Sequence, residues 1–262
     1  MSVQSHLTNL ATELVLSEDE RASIVTSITT LRSRLNDHFG SKIKEQVQFG
    51  SSTRGTILPR KADEYSDIDY MVIFDNSDSL KPLSFITRLK SFAEDKYSTS
   101  QIQQSHPTVV LSLNHIRFEL VPAYKDWLGT IQIPGPASGF TDWISTDPNG
   151  FNSELTTKNQ NNSNLIKPMA RLMKYWNARS GYVYDSYMLE KAMVADSYLW
   201  CSTLKDYFFK AIENRSIWDL DAQWKKDKLQ RAKDIVARTK ELEAEGSTAT
   251  AELEIKKLVP SL

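Results

Sequence analysis

Asp67 and Asp69 sit one residue apart at the head of an apolar run, Tyr70 to Phe74. In a strand, alternate side chains point the same way, so the two carboxylates share a face while Ile68 and Tyr70 point to the other. Carboxylates held side by side repel each other and call for a cation. A site with few protein ligands and an incoming phosphate suits Mg²⁺. Upstream, the short β-like run Val47 to Phe49 ends in the turn Gly50-Ser51-Ser52. Backbone N–H groups and hydroxyls of such a turn can hold a triphosphate. Either feature alone is common as a solvated turn. In this order, joined by a polar loop and followed by a β-branched strand, the two imply metal-dependent nucleotidyl transfer.

The elements that must position these residues are also visible. Ser17-x-x-Glu20 is a capping box with acids in its first turn. Ile24, Ile28, Leu31, Leu35 and Phe39 then recur at helical spacing, which predicts a long helix ending near Gly40. A strand over Gln46 to Gly50 follows, then the turn and the acidic strand. Pro82 starts a helix whose Leu83, Ile86, Leu89 and Ala93 face the core. Thr108 to Leu113 and Ile116 to Val121 read as consecutive strands around Asn114-His115. Alternating strands and helices predict an α/β layer in the first half. After about Leu128 the pattern changes. Gly135, Pro136, Gly139, Pro148 and Gly150 predict an ordered loop or linker over 133–150. Lys158 to Asn164 reads as an exposed loop or the polar face of a helix. Leu165, Met169, Leu172, Met173 and Trp176 mark a helix, and 199–214 and 220–244 two more.

Composition narrows the function classes. With 40% hydrophobic and 25% charged residues among 262, the chain reads as an ordinary soluble globular protein with a sizeable core. No apolar run approaches the roughly 20 residues of a membrane span. The opening segment MSVQSHLTNLATELVLSEDE lacks the basic start and apolar block of a signal peptide, so a cytoplasmic location is expected. The single cysteine, Cys201, leaves no disulfide framework or zinc cluster and is expected in a buried helix beside Leu199, Trp200 and Leu204. The formal net charge of −1 gives no basic excess of the kind polymer-binding proteins show. Small nucleotides are expected as substrates rather than nucleic acid, and Lys225-Lys226-Lys228 as a solvated helix face.

At the Gly-Ser turn and Asp-x-Asp strand the chain resembles the DNA polymerase beta-type nucleotidyltransferase superfamily. HIRFELVPAY, from His115 to Tyr124, resembles the third-carboxylate strand of the bacterial CD-NTases, relatives of cyclic GMP-AMP synthase and oligoadenylate synthetase. The third acid would be Glu119, where family members more often carry Asp. Alternation puts Arg117 and Glu119 on one face and Ile116, Phe118 and Leu120 on the other, and the alternative reading of Glu119 is a strand residue paired with Arg117. LIKPMARLMKYWNARS, from Leu165 to Ser180, resembles the phosphate-facing helix of the family's helical lobe, with Lys174 in the position that contacts donor phosphates. DSYMLEKAMVA, from Asp185 to Ala195, resembles the next helix, where Ser186 and Tyr187 match a pair beside the nucleotide. ISTDPNGFNSELTTKNQ resembles the link between the two lobes and the C-terminal tail the closing helices.

The resemblance implies an α+β fold. A polymerase beta-like core with a mixed sheet and flanking helices would span residues 1–145, including the N-terminal helix. A helical lobe would span 146–262, with the active site in the cleft between. It implies two Mg²⁺ ions, or Mn²⁺, on Asp67, Asp69 and Glu119. Donor triphosphate would lie on Gly50, Ser51, Ser52 and Lys174, with Ser186 and Tyr187 beside the base. The product would be a cyclic di- or trinucleotide made from ATP, GTP, UTP or CTP in anti-phage signalling, with room for an activating or regulatory protein. Two other readings stay open: a transferase acting on tRNA or protein, and a non-catalytic nucleotide-binding scaffold.

Overall fold

The computed structural model describes residues 2–98, 100–105, 108–135, 139 and 141–262. The chain divides into two compact units. One comprises Ser17–Arg60 and Tyr65–Ser153 and holds the sheet; the other comprises the residues up to Leu16, Lys61–Glu64 and Glu154–Leu262 and is helical.

In the sheet unit the long helix α2 (Glu18–Phe39) begins at the expected capping box: Ser17 accepts from the Glu20 N–H while Glu20 accepts from the Ser17 N–H. Seven strands follow: β1 (Ile43–Phe49), β2 (Ile68–Phe74), β3 (Gln101–Ser105), β4 (Thr108–Ser112), β5 (Arg117–Lys125), β6 (Ile131–Pro134) and β7 (Trp143–Thr146). The order is β1-β2-β5-β4-β3, with β6 on the far end of β5 and β7 on β6. The β2–β5 pair is parallel and the others are antiparallel, so the sheet is mixed. Between β1 and β2 lies the single helical turn α3 (Ser51–Arg54), and α4 (Pro82–Lys96) links β2 to β3.

Alternation gives the two central strands two unlike faces. Ile68, Tyr70, Val72 and Phe74 of β2 and Phe118 and Leu120 of β5 are buried. The Phe74 ring packs edge-on against Phe39 of α2 and tilted against Phe85 of α4, and the Tyr70 and Phe118 rings meet edge-on. Arg32 of α2 donates to the Tyr70 hydroxyl, which donates to Gln46. On the opposite face Met71, Ile73, Val121 and Ala123 form a smaller cluster with Val47, Phe49, Ile131 and Ile133. Asp69 and Glu119 continue this second face toward one end of the strands.

The segment read as a loop, 133–150, contains a strand pairing instead. Ile131 and Ile133 of β6 pack on the second sheet face, and β6 pairs with Trp143–Thr146. Gly135 begins the connection, its N–H bonding the Asp142 carbonyl, while Pro148 and Gly150 lie past β7; Pro136 lies outside the described residues. The glycines and prolines punctuate short strands rather than replace them.

The helical unit contains α1 (Val3–Glu13), most of α5 (Gly150–Gln160), α6 (Ile166–Arg179), α7 (Ser186–Ala195), α8 (Leu204–Glu213), α9 (Gln223–Ala244) and α10 (Thr248–Lys256). The division falls after Ser153, and α1 groups with the C-terminal helices rather than with the sheet. The reason is its apolar stripe: Val3, Leu7, Leu10 and Leu14 are buried, and α1 packs on α6, α8 and α10. His6 Nε2 bonds the Val259 carbonyl at 2.8 Å and the Lys205 N–H donates to Gln4 at 2.9 Å. Two expectations change. Asn159 is buried rather than exposed, because its side chain accepts from the Lys167 N–H and donates to Asn164, closing the α5–α6 connection. Cys201 lies in the α7–α8 loop, partly exposed, because Leu199 and Trp200 point to solvent and α8 starts only at Leu204. Burial nonetheless raises its thiol pKa, which disfavours a reactive thiolate. Among the described residues no helix is long and apolar enough to cross a membrane.

The packing of α1 generates a stability test. Leu7→Ala removes a fully buried side chain and should cost about 2–5 kcal/mol. Val25→Ala, at an exposed position on α2, should stay within about 0.5 kcal/mol. Urea denaturation followed by tryptophan fluorescence reads both. Equal small effects would mean that α1 is not part of the helical core.

Candidate active site

The geometry of the sheet unit begins at Gly50. Its φ is +75° and ψ −155°, a conformation L side chains rarely adopt. A Cβ placed there would stand 1.7 Å from Asp69 Oδ2 and 2.5 Å from its Cγ. The backbone at Gly50 therefore lies directly against the Asp69 carboxylate, as the β1–β2 register requires by pairing Phe49 with Asp69. The turn and the acidic strand that the sequence reading joined into one site are in contact.

From Gly50 the chain enters α3. Arg54 N–H donates to the Gly50 carbonyl at 3.3 Å, and the N–H groups of Thr56 and Ile57 both donate to the Ser51 carbonyl at 3.1 Å. Ser52 Oγ donates to the Phe49 carbonyl and accepts from Gln48, and Thr53 Oγ1 donates to the Gly50 carbonyl. The Ser52 hydroxyl thus shapes the turn. The N–H groups of Ser51, Ser52 and Thr53 open it and, as at any helical start, have no acceptor within it. Such a row of N–H groups favours an anion.

Asp69 lies in β2 and Asp67 directly precedes that strand; both are partly buried. In the parallel β2–β5 ladder Asp69 pairs with Glu119, so the backbone puts these two residues side by side. The side chains are not drawn into one cluster. Among the described residues no three His, Cys, Asp or Glu side chains gather closely enough to hold a metal ion. Glu119 instead accepts from Arg117 Nη2 at 3.2 Å, two residues back on the same face. This is the pairing the sequence left open as its alternative. The pair is only 20% and 25% exposed, and Arg117 Nε is buried without a partner. The donor set still fits a hard cation: all three groups are carboxylates, and their backbone positions are adjacent. Asp67 and Asp69 would hold the ion, and Glu119 would join it in competition with Arg117.

Residues 151 and 152 support the turn and were missed in the sequence. Asn152 Nδ2 donates to Thr53 Oγ1 at 3.2 Å, and the Arg54 guanidinium lies 5.5 Å from the Phe151 ring. Nearly a hundred residues separate the partners, and no local pattern announces such a contact.

The helical-unit candidates behave differently. Lys174 is buried on α6 and pairs with Glu190 of α7 at 3.5 Å. Ser186 opens α7 behind the Asp185 cap, which accepts from the Met188 N–H. Tyr187 is 45% exposed, so it is no core aromatic, and Lys191 Nζ lies 5.7 Å from its ring.

An anion-binding turn against a pair of acids can hold phosphate and cation together, which is the requirement of a nucleotidyltransferase. A family model for the Second Messenger Oligonucleotide or Dinucleotide Synthetase domain, SMODS, matches residues 1–159. The chain belongs to this family of bacterial CD-NTases, nucleotidyltransferases that make cyclic oligonucleotides from nucleoside triphosphates. A search of curated proteins returned no match. Among solved structures, the Vibrio cholerae DncV cyclic AMP-GMP synthase, in complex with nonhydrolyzable GTP, has a TM-score of 0.79 at 12% identity, over 99% of this chain and 96% of that one. The Bradyrhizobium diazoefficiens CD-NTase CdnG, with GTP, gives 0.71 at 12% identity over 98% of each chain. E. coli MS115-1 CdnC, with ATP, gives 0.70 at 14% identity over 100% of this chain and 98% of that one, and CdnC is also solved with HORMA-deltaN. At these identities the likeness shows the fold, and the family model shows the membership.

Gly50→Ala tests the contact on which the site is built. The added methyl would drive the Asp69 carboxylate aside by more than an ångström, and displacements of that order cost about a hundredfold in rate. Pyrophosphate release from ribonucleotides should fall at least that far while far-ultraviolet circular dichroism stays native. Wild-type turnover would show that the Asp69 position is not critical.

Proposed function

We propose that this protein joins nucleoside triphosphates into a cyclic di- or trinucleotide second messenger, releasing pyrophosphate, in bacterial anti-phage signalling in the cytoplasm. The observation that carries the reading is the Gly50–Asp69 contact within a chain of the SMODS family. In each transfer an acceptor ribose hydroxyl attacks the α-phosphorus of a donor. A new P–O bond forms, the bond to pyrophosphate breaks in line with it, and the hydroxyl proton leaves to solvent. Mg²⁺ or Mn²⁺, as two ions, would lower the pKa of the attacking hydroxyl and offset the charge of the leaving pyrophosphate.

The chain's own residues position these groups. Asp67 and Asp69 supply the carboxylates to which a cation would bind, and Glu119 is the third carboxylate on the acceptor side. The N–H groups from Ser51 to Thr53 hold the donor phosphates. Lys174 adds positive charge toward them, in competition with its partner Glu190. Ser186 and Tyr187 flank the base, and a ring such as the exposed Tyr187 stacks on a base with about 1–3 kcal/mol. A regulatory protein partner is part of the proposal, since the similar CdnC is solved with HORMA-deltaN.

Two measurements test the reading. Asp67→Asn with Asp69→Asn should abolish product, while the far-ultraviolet circular dichroism of the variant stays native. A large fall in melting temperature would mark the acids as structural. Purified protein incubated with the four ribonucleotides and Mg²⁺ or Mn²⁺, alone and with candidate activating partners, should give short oligonucleotides resistant to phosphatase. A cyclic product has no phosphate monoester to remove. Robust transfer onto tRNA or protein without cyclic product would overturn the proposal.

A further inference from the structure

The helical unit carries a second feature that the reaction does not use. A cavity of about 190 Å³ opens between the end of α6, the middle of α9 and the segment after α10. Trp176, Ala232, Ile235 and Leu258 form its apolar floor. Arg179, Lys228, Arg231 and Lys257 line the rest with Ser180, and no acidic residue is among the lining groups.

This arrangement differs from a solvated basic helix face. The four cations come from three separate segments and converge on one concavity. Lys228 and Arg231 stand three apart on α9, so they are neighbours on its surface, and like charges so placed destabilise a helix. Lys257 is paired with Glu254 at 2.6 Å, and Arg179 lies 5.6 Å from the Tyr175 ring. Among the described residues neither Lys228 nor Arg231 forms an ion pair. The positive charge of Lys228 and Arg231, which has no matching acid among the described residues, would be relieved by a bound anion, and guanidinium groups match phosphate oxygens in geometry. The volume sets the size. It is below the roughly 300–1,000 Å³ of sites that enclose drug-sized ligands, so a phosphate or diphosphate fits and a whole nucleotide does not.

We infer that this cavity is a binding site for a small multivalent phosphate anion: pyrophosphate itself, or the phosphate chain of a nucleotide whose nucleoside stays outside. The inference does not rest on the proposed reaction, because none of its residues belongs to the candidate active site.

Isothermal titration calorimetry on the full chain in EDTA separates the two sites, since without metal the acids beside Gly50 repel phosphate. Pyrophosphate should bind saturably at physiological ionic strength and more weakly as salt is raised. Arg231→Gln should weaken it about tenfold, as expected for one charge-assisted hydrogen bond, and Arg179→Gln with Arg231→Gln about a hundredfold. Lys228→Gln provides a second single variant should either arginine variant melt early. A nonhydrolysable ATP analogue distinguishes the sources. Affinity equal to that of pyrophosphate assigns the free anion. Tighter binding that the same variants abolish assigns the nucleotide. Absence of saturable binding, or binding undiminished in the folded double variant, would overturn the inference.

Discussion

The contact between the Gly50 backbone and the Asp69 carboxylate is the constraint around which the sheet unit is organised. It exists because Gly50 has no side chain and adopts a positive φ. It brings two segments together, a turn with N–H groups at its start and a strand carrying a carboxylate. Ladder register supplies the rest: Phe49 opposite Asp69 places the turn, and Asp69 beside Glu119 places the second acid. A one-residue slip in either ladder would send a carboxylate to the opposite face of the sheet.

That register is held by the face the site does not use. Tyr70, Phe74 and Phe118 are buried beneath α2 and α4, and the Tyr70 hydroxyl is tied to both Arg32 and Gln46. Slipping the strand would expose these rings and leave a buried hydroxyl without partners, so the aromatic face fixes where the acids emerge. Functional groups on central strands inherit that rigidity, whereas groups on loops do not. Asn152 and Phe151 extend the same logic to the turn, bracing Thr53 and Arg54 from a distant segment.

Much of this was legible in the sequence where one residue type leaves few alternatives. The Ser17–Glu20 box marked the start of α2, and alternation marked β2 and the first half of β5. Apolar spacing marked the helical C-terminal part, and the α+β class with a mixed sheet followed from the family resemblance. What was not legible depended on partners far along the chain. The α1 stripe is short and reads as ordinary until α6, α8 and α10 are there to cover it. The β6–β7 pairing hides among glycines and prolines because each strand has only four residues. The apolar neighbours of Cys201 predict a buried helix, but Leu199 and Trp200 face solvent.

Glu119 shows why backbone and side chain must be read separately at such a site. Its backbone stands beside that of Asp69, yet its Oε1 accepts from Arg117. Without a cation, three neighbouring carboxylates on a half-buried surface are electrostatically costly, and an arginine two residues back on the same face neutralises the third. The extra methylene of Glu over Asp lengthens the reach of the carboxylate toward that guanidinium. With a cation on Asp67 and Asp69 the balance changes, because a divalent charge attracts Glu119 more strongly than a monovalent one at similar distance. Arg117 would then lose its partner while its Nε is already unsatisfied and buried. That loss would oppose metal capture by Glu119. Glu119 thus forms a strand ion pair with Arg117, and a cation drawing it away would have to offset a stranded, buried guanidinium.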